Sequence, residues 1–156
     1  MVFKAKKRLA LLEKVIITFT GFVAAVVLTM ILEDLFPGIS TGAVKLRVND
    51  WLTLLCFTLS TVLLPAITEE AVFRKNMIAL NMKSMVLTSI FSAILFSAEQ
   101  YLTPWGILLG IIWAIPLTYS YIRTQDVYIP LTAHFFGSIF GNGIDIFGLL
   151  LRLSTR

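Results

Sequence analysis

The chain has 156 residues, of which 58% are hydrophobic and 14% charged, with a formal charge of +4 and a mean hydropathy of +0.89. Soluble domains carry about 25% charged residues, so the composition excludes an ordinary soluble domain and implies one membrane-embedded domain over 1–156. The positive excess lies beside apolar runs rather than on an open basic face, which speaks for membrane topology and against nucleic acid as a partner.

Residues 1–14 form a basic amino-terminal segment with Lys4, Lys6, Lys7, Arg8 and Lys14, and such an excess predicts a cytoplasmic amino terminus. A first span is expected over Val15–Leu32. It is long for the apolar core of a signal peptide and no Ala-x-Ala site closes it, so it reads as an uncleaved anchor. The following "EDLFPGISTGAVKLRVND" has the Pro, Gly and mixed charge of a surface loop, with room for a short interfacial helix.

The second span, Trp51–Thr68, has no charged residue from Trp51 to Ala66 and runs into "ITEEAVFRKN", Ile67 to Asn76. Arg74, Lys75 and Lys83 place this end on the cytoplasmic side as well. Cys56, the only cysteine, has no disulfide partner and no zinc spacing, and reads as a small packed hydrophobe. A short third span is expected over Ser84–Ala98, tilted or buried among the others, and Glu99 and Gln100 close it at a helix terminus. The fourth covers Trp105–Ile122.

The fifth, Tyr128–Leu151, is long and holds His134 and Asp145, so a break into two helices is expected there. The fold class is therefore all-α, a polytopic bundle of about five transmembrane spans. Five spans put the carboxyl end, with Arg152 and Arg156, on the outer side. Gly106-x-x-x-Gly110 and Gly137-x-x-x-Gly141 provide the small-residue spacing that lets helix backbones approach closely.

Acids at the end of an apolar run are costly, and such residues mark either function or a helix end meeting water. On a helix, Glu70 and Arg74 are spaced for an ion pair. That leaves Glu69 about a hundred degrees around the helix, without a local partner. An apolar setting disfavours the charged carboxylate, the condition under which a general base is tuned. His134, the only histidine, is followed by Ser138 and Asn142 at helical spacing. The three form one polar stripe, suited either to donating hydrogen bonds to an oxyanion or to interhelical bonding. One histidine and the lack of an HExxH motif argue against a metal, so no metal and no cofactor are expected.

Together these segments resemble the CPBP family of intramembrane proteases, the CAAX-protease and bacteriocin-processing group. The family pattern is Glu-Glu-x-x-x-Arg, then Phe-x-x-x-His, then His-x-x-x-Asn on apolar helices. The first is complete as Glu69, Glu70 and Arg74, with Phe73 just before the arginine. The second reads Phe96 to Gln100, with glutamine in place of histidine. The third begins with Pro130 and His134 and has Ser138 in the asparagine position. The likeness covers roughly Trp51 to Gly148.

The resemblance implies a glutamic endopeptidase in which Glu69 activates water, Glu70 and Arg74 shape the site, and His134 orients water or binds the oxyanion. Gln100, Ser138 and Asn142 would supply the remaining water or oxyanion contacts. It also implies membrane lipid and a membrane-associated or bacteriocin-related peptide as partners, in a bacterial or archaeal plasma membrane. The substituted motif residues leave two alternatives beside an active protease. One is a non-catalytic bacteriocin self-immunity or regulatory protein on the same scaffold, and the other is a small transporter or channel subunit.

Overall fold

A computed structural model describes residues 2–42, 48–81 and 83–155, with side chains from residue 10 onward. The side chains of Lys4, Lys6, Lys7 and Arg8, residue Arg156, and the middle of the first loop lie outside the described residues. The described chain folds into five helices: α1 Val2–Leu35, α2 Trp51–Asn76, α3 Met85–Gln100, α4 Pro104–Thr124 and α5 Tyr128–Ser154. No strand occurs among the described residues. Four helices are long and apolar enough to cross a membrane, in α1 over Ala10–Leu35, and the shorter apolar α3 is the fifth.

Local sequence explains the helix ends. Asp50 caps α2, its carboxylate accepting from the Thr53 amide at 2.8 Å, while the Thr53 hydroxyl reaches back to complete a capping box. Thr103 caps α4 with Pro104 in its first turn, where a proline loses no helical hydrogen bond. The described parts of the first loop contain no helix.

Helix α2 is continuous but not uniform. Its turns widen to i→i+5 pairing over Leu59–Leu63 and again over Glu70–Asn76, as in the Met77 amide bonding to the Val72 carbonyl at 3.1 Å. Pro65 accounts for the first widening. It has no N–H for the Thr61 carbonyl, and its ring crowds the preceding turn. Helix α5 likewise runs unbroken past His134 and Asp145. Its interior holds no proline to open the ladder, the Asn142 side-chain Nδ2 bonds back to the Ser138 carbonyl of the same helix at 3.0 Å, and the expected break is absent.

The helices alternate in direction. Antiparallel α1 and α4 meet through Gly21 on Pro116, through the Thr18 and Ser120 hydroxyls at 2.7 Å, and through Trp113 Nε1 donating to Thr29 Oγ1 at 2.8 Å. One buried cluster joins Phe22, Leu117 and Ala133 and a second joins Phe73, Phe96 and Ala114. The outer face is apolar instead of polar, with Leu52 69%, Leu87 72% and Ile144 84% exposed, as a lipid-facing surface requires. Cys56 is on that exposed face and is not the packed core residue expected.

Glycine spacing is half explained by packing. A Cβ on Gly106 would collide with the Thr41 carbonyl, and one on Gly110 would lie 2.8 Å from the Ser97 Cβ. A Cβ on Gly137 would collide with the Phe22 ring, but one on Gly141 would meet nothing within 4 Å. The second pair is thus one contact glycine and one facing open space.

Candidate functional site

Glu69 stands seven residues before the Asn76 end of α2, and His134 six after the Tyr128 start of α5. At about 1.5 Å per residue, both lie about 10 Å inside the same end of the bundle. The acids are not solvated at a helix end: Glu69 is 7% exposed and Glu70 and Arg74 are 0% exposed. The widened turn of Glu70–Asn76 carries all of Glu70, Phe73 and Arg74 into the interior, a placement that a four-residue spacing in sequence does not specify.

Glu70 is the centre of this buried set. Its Oε2 is 3.3 Å from Arg74 Nε and its Oε1 is 3.0 Å from His134 Nδ1. The Arg74 contact is close but poorly aligned, and none of the three guanidinium nitrogens makes a hydrogen bond. We therefore read it as charge pairing rather than a directed bond. The Phe96 ring compensates, lying 4.2 Å from the guanidinium carbon, within range of a cation–π attraction. Phe96 in turn packs edge-on against Phe73 and His134, while the Ser92 hydroxyl donates to the Phe73 carbonyl and locks α3 to α2.

Glu69 faces the other way, into a cavity of about 550 Å³. It acquires from tertiary structure the partners it lacks in sequence. Gln100 Nε2 donates to its Oε2 at 3.3 Å, and His134 Nε2 is 4.0 Å from the same oxygen. An ionised Glu70 can only accept, so His134 carries its proton on Nδ1 and turns the Nε2 lone pair toward Glu69. At 4.0 Å the two acceptors are too far apart for a direct hydrogen bond, and a water between them can donate one proton to each.

The structure brings together the seven candidate site residues named from the sequence. Glu69, Gln100, His134, Ser138 and Asn142 line the cavity, and Glu70 and Arg74 support it from behind. The Ser138 hydroxyl makes no hydrogen bond among the described residues and remains available to a ligand, whereas one Asn142 N–H is committed to the Ser138 carbonyl. Glu99 also lines the cavity instead of merely ending a helix. Asp145 is exposed on α5 outside it. Sequence reasoning missed the walls: Phe22, whose ring is 5.6 Å from that of His134, and Trp113. Both are ordinary apolar positions on helices, so no local signal marks them.

The family model described as type II CAAX prenyl endopeptidase Rce1-like matches residues 51–140, more than half of the chain. The chain belongs to this family. The CAAX-endopeptidase-like match spans α2 through the first half of α5 and so contains Glu69, Glu70, Arg74, Gln100, His134 and Ser138. Helix α1, which supplies Phe22, and Asn142 lie outside it. No curated protein and no solved structure matches the chain. At the level of the family, the chain is an integral membrane protein of CAAX-type intramembrane protease descent.

Proposed function

We propose that the chain is an intramembrane endopeptidase that hydrolyses a membrane-associated peptide with water activated by Glu69. The observation carrying this reading is the convergence of Glu69 Oε2 and His134 Nε2, 4.0 Å apart, on one side of a cavity backed by the Glu70–Arg74 pair. Glu69 takes a proton from water as the oxygen bonds to the peptide carbonyl carbon. His134 Nε2 orients the second proton of that water. The carbonyl oxygen becomes an oxyanion, to which the Ser138 hydroxyl donates. Collapse breaks the C–N bond and Glu69 returns its proton to the departing amine, giving a carboxylic acid and an amine.

Gln100 replaces a proton-carrying histidine in this scheme. Its amide holds Glu69 in place but cannot exchange a proton at neutral pH. That substitution favours a second reading, a non-catalytic bacteriocin-immunity or regulatory protein that binds peptide on the same scaffold. Lys14, Lys75, Lys83 and Arg123 lie with Glu13 and Asp126 at the bundle end nearer the site, and Arg152 lies with Glu33, Asp34 and Asp50 at the opposite end, where the sequence of the α1–α2 loop adds Lys45 and Arg47. The excess of basic residues at the site end, to which the amino-terminal Lys4, Lys6, Lys7 and Arg8 add, favours a cytoplasmic amino terminus and a site in the cytoplasmic half of the membrane.

Glu69→Gln tests the choice. In protein reconstituted with membrane-anchored reporter peptides, the variant should insert and fold as the parent does and lose cleavage by about 10²–10⁴-fold, the usual worth of general base catalysis. Equal cleavage by variant and parent would remove the hydrolytic reading.

A further inference from the structure

We infer that the cavity is entered from the half of the membrane farther from Asn76 and Tyr128. The peptide it takes is then a membrane-spanning segment, not a chain resting on the near surface. Cleavage of that segment rests on the hydrolytic reading, while the direction of entry rests on the shape of the cavity. On α2, which runs toward the near end, Ser60, Thr61 and Pro65 line the cavity beside Glu69, and all three are farther from that end. On α5, which runs away from it, the lining residues Gly137, Ser138, Gly141 and Asn142 all follow His134. Glu99 and Gln100 close α3, which also runs away from the near end. The cavity therefore extends from the Glu69–His134 pair toward the far end.

Burial follows the same direction. Beside the pair, Phe96, Gly137 and Ser138 are buried, whereas Ser60, Glu99 and Gly141 are exposed. Toward the near end the bundle is closed, with Phe73 8%, Arg74 0% and Ile129 1% exposed. Ser60 and Gly141 stand nine and seven residues from Glu69 and His134. At about 1.5 Å per residue, the mouth lies about 10–14 Å beyond the pair, past the middle of a hydrocarbon core about 30 Å thick. Helix α2 meets α3 through Glu70–Asn76 and α5 along Trp51–Glu69, so the first half of α2, the end of α3 and α5 frame the mouth.

An amphipathic peptide on the near surface sinks only about 5–10 Å and meets the closed end. A chain entering from the far half reaches the pair only by crossing most of the bilayer, as a membrane-spanning segment does. At about 3.3 Å per extended residue, the distance from mouth to pair takes about three to four unwound residues. Their backbone groups need partners in the absence of bulk water. Ser60 and Thr61 donate to the Phe57 carbonyl at 3.1 and 2.8 Å and keep oxygen lone pairs free to accept a peptide N–H. The Ser138 hydroxyl follows beside the pair.

The experiment uses the full chain with Cys56→Ser in sealed membrane vesicles. Single cysteines are challenged from one side at a time with a membrane-impermeant methanethiosulfonate, which attacks the thiolate, a form that apolar surroundings suppress. Lys75→Cys marks the near side. Gly141→Cys, which enters open space, should react from the opposite side and not from the near one. Ile144→Cys is a lipid-facing control, since Ile144 is 84% exposed and outside the cavity, and it should react from neither side. Reaction of Gly141→Cys from the near side or from neither side overturns the inference, and so does equal reaction of Ile144→Cys. The same reporter sequence is then offered as a membrane-spanning segment and as an acylated peptide on the near surface. Only the spanning form should be cleaved, and equal cleavage of the two overturns the assignment of the peptide. Labelling does not require cleavage, so full cleavage by Glu69→Gln would sink the hydrolytic reading and leave the direction of entry standing.

Discussion

His134 Nδ1 and Glu70 Oε1 are 3.0 Å apart, though 64 positions separate them in the chain. This contact fixes which imidazole nitrogen faces the cavity. It also ties α5 to the widened turn of α2, so the same carboxylate orients the histidine and balances Arg74. The geometry of the candidate site and the packing of the helices are one arrangement here.

Glu70 is therefore expected to be a stability residue as much as a site residue. Removing one partner of a buried ion pair costs about 3–5 kcal/mol, so Glu70→Gln and Arg74→Leu should each destabilise the bundle by about that much. The double variant should cost less than the two singles together, because neither charge is left alone. Unfolding in mixed micelles measures all three. Simple additivity would show that the two side chains do not act as a pair.

Gln100 should act through Glu69. A hydrogen bond to a charged group contributes about 1.5–3 kcal/mol, so Gln100→Leu should lower stability by up to about that much and slow cleavage by about tenfold or more. Gln100→His restores a proton-carrying side chain and should raise the rate, by up to about 10²-fold. A rate unaffected by both changes would detach this position from the chemistry.

Glycines with the same spacing should respond differently. Gly110→Val forces a branched side chain against Ser97, where even a Cβ comes within 2.8 Å, and should cost about 1–3 kcal/mol. Gly141→Ala enters open space and should be neutral or stabilising by up to about 1 kcal/mol, since alanine is the better helix residue. Parallel unfolding curves decide this, and a destabilised Gly141→Ala would place an unseen neighbour there.

The α2 cap should be sensitive to acid. Hydrogen bonds from the Thr53 backbone and side chain hold the Asp50 carboxyl below its ordinary range. A depressed folded-state pKa gives a contribution that is present above the unfolded value and is lost as pH falls through the folded one. Acidification below the ordinary aspartate range should therefore increase amide exchange in the first turn of α2, and Asp50→Asn should remove that dependence. An unchanged acid response in Asp50→Asn would assign it to another group.

Cleavage should also be indifferent to chelators, because no metal-holding group of three donor side chains forms among the described residues and the proposed step needs none. Loss of activity in EDTA, restored by one divalent ion, would replace the Glu69 scheme.

Much of the bundle was legible beforehand because apolar length and charge are local properties. The five expected spans correspond to α1–α5, and their ends moved where caps and prolines act, as with Thr103 and Pro104 before α4. The expected break in α5 and the expected packing of Cys56 failed for reasons that lie in the folded helices. Helix α5 holds no interior proline and runs whole, and Cys56 falls on the outward face of α2. The site was legible as residue types: the acids, the histidine and their order.

Sequence alone determined that this chain is a membrane helical protein, because no soluble fold hides so much apolar surface, and its motifs carried the family resemblance. It did not determine whether Glu69 and Glu70 meet water or the interior, since a helix end and a buried site share the same spacing. Tertiary structure decided that point. The widened turns of α2 rotate the acids inward, α3 brings Gln100 to Glu69, and α5 brings His134 between both carboxylates. These are contacts between distant segments, fixed by packing rather than by any local preference.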